Sequence, residues 1–160
     1  MKLHTELSYD APPADVFAML SDPAFREKVA EAQHAVSHQV TTDVAGAGLT
    51  VRVETEQNTS GLPSIAKKFV GETTTAILTE TWKDGSGGDV EITAPGKPTR
   101  ITGTVALREA GGGTVQTVDL DAKVKVPLIG GKLEQLLVDS LEQAYAKEHE
   151  VGVEWLAGRR

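Results

Sequence analysis

The sequence predicts an α+β fold in which one long C-terminal helix lies against a curved antiparallel sheet of about seven strands, in the order β-α-α-β6-α. Three observations lead there. Leu133, Leu136, Leu137, Leu141, Ala144, Tyr145, Glu148, Val151, Gly152 and Trp155 recur at three- and four-residue steps, the period of an amphipathic helix. From His34 to Val126 the period drops to two, in successive runs separated by turns rich in glycine and proline. Ahead of these, one alternating run is followed by two short helical segments. No Pro/Ser-rich linker divides the 160 residues, which read as a single domain, 1–160, long enough to bury a core.

The elements follow in order. Leu3, Thr5, Leu7 and Tyr9 alternate with His4, Glu6 and Ser8, as in a half-buried strand. Ala11-Pro12-Pro13 ends it, and residues 15–20 form a short helix with Pro13 near its first turn. Asp22 is placed to cap a second short helix that has Pro23 at its first position and runs through Phe25 to Gln33. His34, Val36, His38, Val40, Thr42 and Val44 share one face of the next run. Gly46-Ala47-Gly48 then turns it into Leu49, Val51, Val53 and Thr55, making a hairpin. Leu62 to Val70 interrupts the strands as a helical turn or loop lid. Four more strands contain Ile77, Leu78 and Trp82; Val90 and Ile92; Ile101, Val105 and Leu107; and Val118, Leu120, Ala122 and Val124. The closing helix, taken from Leu128 to Leu156, would span about 43 Å.

Composition excludes several function classes. A net charge of −7 opposes nucleic-acid binding, which needs clustered Lys and Arg; Lys67-Lys68 and Arg159-Arg160 read as solvated ends. The absence of cysteine rules out disulfides, zinc–thiolate sites and cysteine nucleophiles. No stretch reaches the ~20 apolar residues of a membrane span, and residues 1–10 lack the apolar run of a signal peptide, so a cytoplasmic location is expected. There is no Gly-x-Ser-x-Gly. Gly130-Gly131-Lys132 lacks the spacing of a phosphate loop, and reads as small residues that let the helix start approach the sheet.

The segment Tyr9-Asp10-Ala11-Pro12-Pro13-Ala14-Asp15-Val16-Phe17 resembles the first strand and helix start of the START and birch-pollen-allergen (SRPBCC) superfamily, whose fold is the helix-grip. Val126-Pro127-Leu128-Ile129-Gly130-Gly131-Lys132-Leu133-Glu134, with Glu154-Trp155-Leu156, is similar to a bacterial branch of mostly uncharacterised proteins. The resemblance covers the whole chain. It implies a cavity between sheet and helix for a small hydrophobic ligand (a lipid, isoprenoid or polyketide-like molecule); no cofactor is expected. The superfamily's functions include lipid carriage, polyketide cyclisation and hormone reception, so fold does not fix activity.

On that reading, Leu133, Leu137, Leu141 and Tyr145 form the helix wall of the cavity. Val51, Val53, Trp82, Val118 and Leu120 form the sheet wall, and Phe17, Leu62, Ile65 and Phe69 rim the mouth. If the protein is instead a cyclase- or dehydratase-type enzyme, His38, Glu80 and Tyr145 are the candidate acids and bases. Glu80 lies between Leu78 and Trp82, and the pattern leaves open whether that face points in. Glu148 lies on the helix stripe and reads as a helix-end carboxylate in water. His34 and His38 share a face at half-site spacing for a metal, but no third ligand matches, and no metal is expected. A protein-interaction module, as monomer or homodimer, is the remaining alternative.

Overall fold

A computed structural model describes all 160 residues. Seven strands form one antiparallel sheet: β1 (Lys2–Tyr9), β2 (Ser37–Ala45), β3 (Gly48–Asn58), β4 (Thr73–Asp84), β5 (Gly87–Thr93), β6 (Thr99–Ala110) and β7 (Gly113–Val124). Their spatial order is β1-β7-β6-β5-β4-β3-β2. The helices are α1 (Pro13–Ser21), α2 (Pro23–Ala32), α3 (Ser64–Val70) and α4 (Gly130–Leu156). This is the α+β helix-grip arrangement expected. Strands β2 to β7 form a meander, and β1 closes onto β7 with Leu3 opposite Leu120 and Leu7 opposite Gln116.

Local chemistry accounts for the boundaries. Asp22 caps α2: its side chain accepts the Ala24 N–H at 2.9 Å, and Pro23 follows at the first helical position. Helix α4 starts at Gly130, two residues later than the apolar pattern suggested, because Leu128 takes a φ of 70° and projects fully into solvent. A Cβ on Gly130 would lie 2.7 Å from the Val124 carbonyl oxygen, so glycine lets the helix leave β7 at close quarters. Gly131 meets nothing within 4 Å, so only Gly130 has the close-packing role read for the pair.

Two expectations about β2 need correction. His34 is not in the strand; it has a φ of 61° in the turn after α2, and the strand begins at Ser37. Val36 and Val44, which the alternation puts on one face with the partly buried Val40, are not covered with it: they are 59% and 73% exposed. Val36 precedes this edge strand, and Val44 is next to its hairpin turn, so neither is covered by a helix.

The space between sheet and helices divides into two halves along the strands. In one half, Val51, Trp82, Val90, Val105, Val118 and Leu120 are buried in one cluster with Val16, Leu20, Phe25 and Trp155. Two aromatic pairs fill it: Phe17 with Trp82 at 5.2 Å between ring centroids, and Phe25 edge-on to Trp155 at 5.5 Å. Towards the other half, the same inward faces continue through Val53, Leu78, Ile92 and Ile101, and there the space is open.

Candidate functional site

The open half is a cavity of about 590 Å³ between the sheet and about the first five turns of α4. That volume suits one small organic molecule. Leu133, Leu136, Leu137, Leu141 and Ala144 line it from the helix; Val53, Ala76, Leu78, Ile92, Ile101 and Val124 line it from the sheet. Valine, alanine and leucine are too slender to bridge the gap. Helix α3 contributes Ala66, Phe69 and Val70, and Leu62 precedes it, so the segment read as a helical turn or lid is a short helix beside the cavity.

Of the expected wall and rim residues, Val53, Leu62, Phe69, Leu133, Leu137, Leu141 and Tyr145 line the cavity. Six others lie elsewhere. Val51, Trp82, Val118 and Leu120 point to the expected face but sit in the packed half, at most 3% exposed. Phe17 packs at a tilt against Trp82 there. Ile65 is 39% exposed on α3 and faces away from the cavity. Periodicity gives the face of a strand; it does not say where along the strand the aromatics stop.

At the boundary between the halves lies a buried polar cluster. Arg26, on α2, donates from Nη2 to Glu80 Oε1 at 2.7 Å and from Nη1 to Glu80 Oε2 at 3.2 Å. Its Nε donates to the Leu20 carbonyl at 2.8 Å. Trp82 Nε1 donates to Glu80 Oε1 at 2.9 Å. Arg26 Nη1 is also 3.8 Å from Glu148 Oε1, and Gln116 Nε2 donates to Glu148 Oε2 at 3.3 Å. All of these side chains are nearly fully buried. Tyr9 Oη and Gln116 Oε1 are buried in the same region without a protein hydrogen-bond partner.

Glu80 therefore faces inward, which resolves the register in favour of Leu78, Glu80 and Trp82 sharing the buried face. It does not line the cavity, because Arg26 and the indole enclose it. Glu148 is the larger correction: it is 5% exposed, not a carboxylate in water, and it lines the inner end of the cavity with Arg26 and Tyr145. His38 lies outside the cavity, with its Nε2 3.6 Å from Glu31 Oε1. His34, displaced into the turn, lines the cavity instead.

Burial dominates the electrostatics. It pushes Glu148 up to about 7 against the pull of Arg26, with Glu80 adding to the rise. It also raises the Tyr145 hydroxyl well above its ordinary value, with Glu80 and Glu148 acting in the same direction. For Arg26, burial works against the charge, but Glu80 and then Glu148 outweigh it and raise its value. Sequence reasoning missed Arg26 altogether. The one available signal was a charged residue one position after Phe25, on a helix whose apolar face includes Phe25 and Val29.

A curved sheet closed by a long helix, with an apolar cavity between them, is the helix-grip fold. Residues 4–156 match the family described as a protein of unknown function, DUF2505, and the chain belongs to that family. Among solved structures it is similar to a START superfamily protein from Mycobacterium smegmatis, with 17% identity and a TM-score of 0.58 over 97% of this chain and 98% of that one. It is also similar to the di-domain ARO/CYC protein StfQ of the steffimycin biosynthetic pathway, with 15% identity and a TM-score of 0.66 over 98% of this chain and 51% of that one. A third is Ara h 8.0201, with 14% identity and a TM-score of 0.63 over 96% and 98%. At these identities the likeness is one of fold. No curated protein matches the chain, and no helix is long and apolar enough to cross a membrane.

Proposed function

We propose that this protein binds a small hydrophobic ligand, of lipid, isoprenoid or polyketide-like chemistry, between the sheet and α4. The observation that carries this reading is the cavity of about 590 Å³, whose walls are mostly apolar and whose polar lining includes the buried Arg26, Tyr145 and Glu148 at its inner end. Removing a ligand's apolar surface from water there yields about 25 cal/mol per Å², from which immobilising the ligand must be subtracted. The polar end fixes orientation, as a few placed polar groups do in apolar pockets.

Filling the space tests the reading. Ala76→Trp and Leu137→Trp each put an indole into the cavity from opposite walls. Each is expected to weaken binding of the apolar dye Nile red at least about tenfold, while the thermal midpoint stays near that of the parent protein because the added ring occupies empty space. Unchanged dye binding in both variants would place the dye elsewhere and end the proposal.

A second reading is favoured by one observation. Glu148, with its value near 7, and Tyr145 lie together on the cavity wall, a pairing suited to proton transfer in a cyclase or dehydratase. Of the acids and bases first considered, only Tyr145 lines the cavity; His38 and Glu80 do not. Turnover of a cyclisable polyketide-like substrate that is lost in Tyr145→Phe would favour this reading over simple binding.

A further inference from the structure

The inner end of the cavity is also suited to sorting ligands by charge, an inference that rests on the binding role proposed above. Glu80 is out of a ligand's reach: two Arg26 hydrogen bonds and the Trp82 indole N–H enclose it, and it does not line the cavity. Arg26 commits three of its five N–H groups, Nη1 and Nη2 to Glu80 and Nε to the Leu20 carbonyl, and its charge is paired with Glu80. Glu148 is different. It lines the cavity, its Oε2 accepts one 3.3 Å bond from Gln116, and its Oε1 is 3.8 Å from Arg26 Nη1, beyond hydrogen-bond range. Tyr145 lines the same end, one helical turn away.

One guanidinium thus serves two carboxyl groups. With Glu148 in its acid form, a ligand carboxylate would bring a second negative charge to a buried cluster whose one guanidinium is already paired with Glu80. A ligand ammonium at Glu148 Oε1 would meet the Arg26 guanidinium, which stands 3.8 Å from that same oxygen. Both like-charge contacts fall where water screens poorly. An uncharged acceptor meets neither, provided Glu148 holds its proton: the acid O–H and the Tyr145 hydroxyl are then both donors on the cavity wall.

We infer that the ligand is an apolar molecule whose polar group is an uncharged hydrogen-bond acceptor, such as a ketone or ester oxygen, held by the acid form of Glu148 and by Tyr145. Carboxylates and amines of the same chain length are rejected.

The charged and titratable groups around Glu148 are Arg26 from α2, Glu80 from β4, Tyr9 from β1 and Tyr145 from its own helix; Gln116 from β7 is uncharged. Burial pushes Glu148 up to about 7, so the proton is present below that pH and is lost above it. A ligand that needs the acid form then binds with level affinity below about pH 7 and loses roughly tenfold per pH unit above it.

The test is displacement of Nile red from the intact protein by 2-decanone, decanoate and decylamine, at about pH 6 and about pH 8.5. At the lower pH the ketone is expected to compete at a concentration about tenfold or more below that of either charged analogue, and to weaken more than about tenfold at the higher pH. Glu148→Gln, whose amide N–H donates at every pH, is expected to bind the ketone without that pH slope. Decanoate or decylamine matching the ketone near pH 6, or ketone affinity in the unaltered protein that ignores pH, would overturn the inference while leaving the binding role intact. Failure of Nile red to bind at all would instead overturn the binding role, and this inference with it.

Discussion

Arg26→Met is expected to destabilise the protein by about 3–5 kcal/mol, read as a lower urea midpoint with an unchanged slope. The guanidinium bonds bidentately to Glu80 and lies 3.8 Å from Glu148. Removing it leaves buried carboxyl groups without their cation, and the Leu20 carbonyl loses its donor. The double variant Arg26→Met, Glu80→Leu should recover much of the loss, since replacing both partners of a buried pair by apolar groups is often near neutral. Recovery would be incomplete, because Trp82 Nε1 then has no acceptor. A single variant as stable as the parent would mean that the cluster contributes nothing to the fold.

Gly103→Ala is expected to cost about 3 kcal/mol or more, at the upper end of overpacking effects. Gly103 pairs with Leu120 in the β6–β7 ladder. A Cβ on Gly103 would lie 1.8 Å from the Asp119 carbonyl oxygen and 2.8 Å from Leu120 Cα. Both obstacles are backbone, so no side chain can swing aside, and the ladder itself must move. A glycine at such a point lets one strand press close to the next. Gly131→Ala is the matched control: nothing lies within 4 Å of its Cβ, and alanine in a helix is worth up to about 1 kcal/mol over glycine. Thermal melts should separate the two variants clearly, and equal melts would contradict the packing described for β6 and β7.

The fold was largely legible because its signals are local. The alternation of Leu3, Leu7 and Tyr9, the Asp22-Pro23 cap and the stripe from Leu133 to Trp155 each follow from the period or terminus chemistry of one element. The cavity was legible only by half. Every expected sheet-wall residue faces inward, yet of the five only Val53 lines the open half. The division follows the aromatics: Tyr9, Phe17, Phe25, Trp82 and Trp155 gather at one end, and only Phe69 and Tyr145 line the cavity. Those residues are far apart in sequence, and their clustering depends on where α1 and α2 cross the sheet. The polar cluster was hidden for the same reason. Arg26 and Glu80 are 54 residues apart, and each alone looks like a solvated charge. Glu148 was misread because a glutamate near a helix end is most often in water; Arg26 and Gln116 give it a buried setting.

The binding claim meets its most direct test in a methyl NMR titration of the intact protein with 2-decanone. Methyl shifts are expected at Val53, Leu78 and Ile92 on the sheet and at Leu133, Leu137 and Leu141 on α4, which line the cavity. Val105, Val118 and Leu120, in the packed half, should stay silent. Shifts confined to the packed half or to exposed Val36, Val44 and Leu128, or no shifts at ketone saturation, would contradict a ligand site between the sheet and α4.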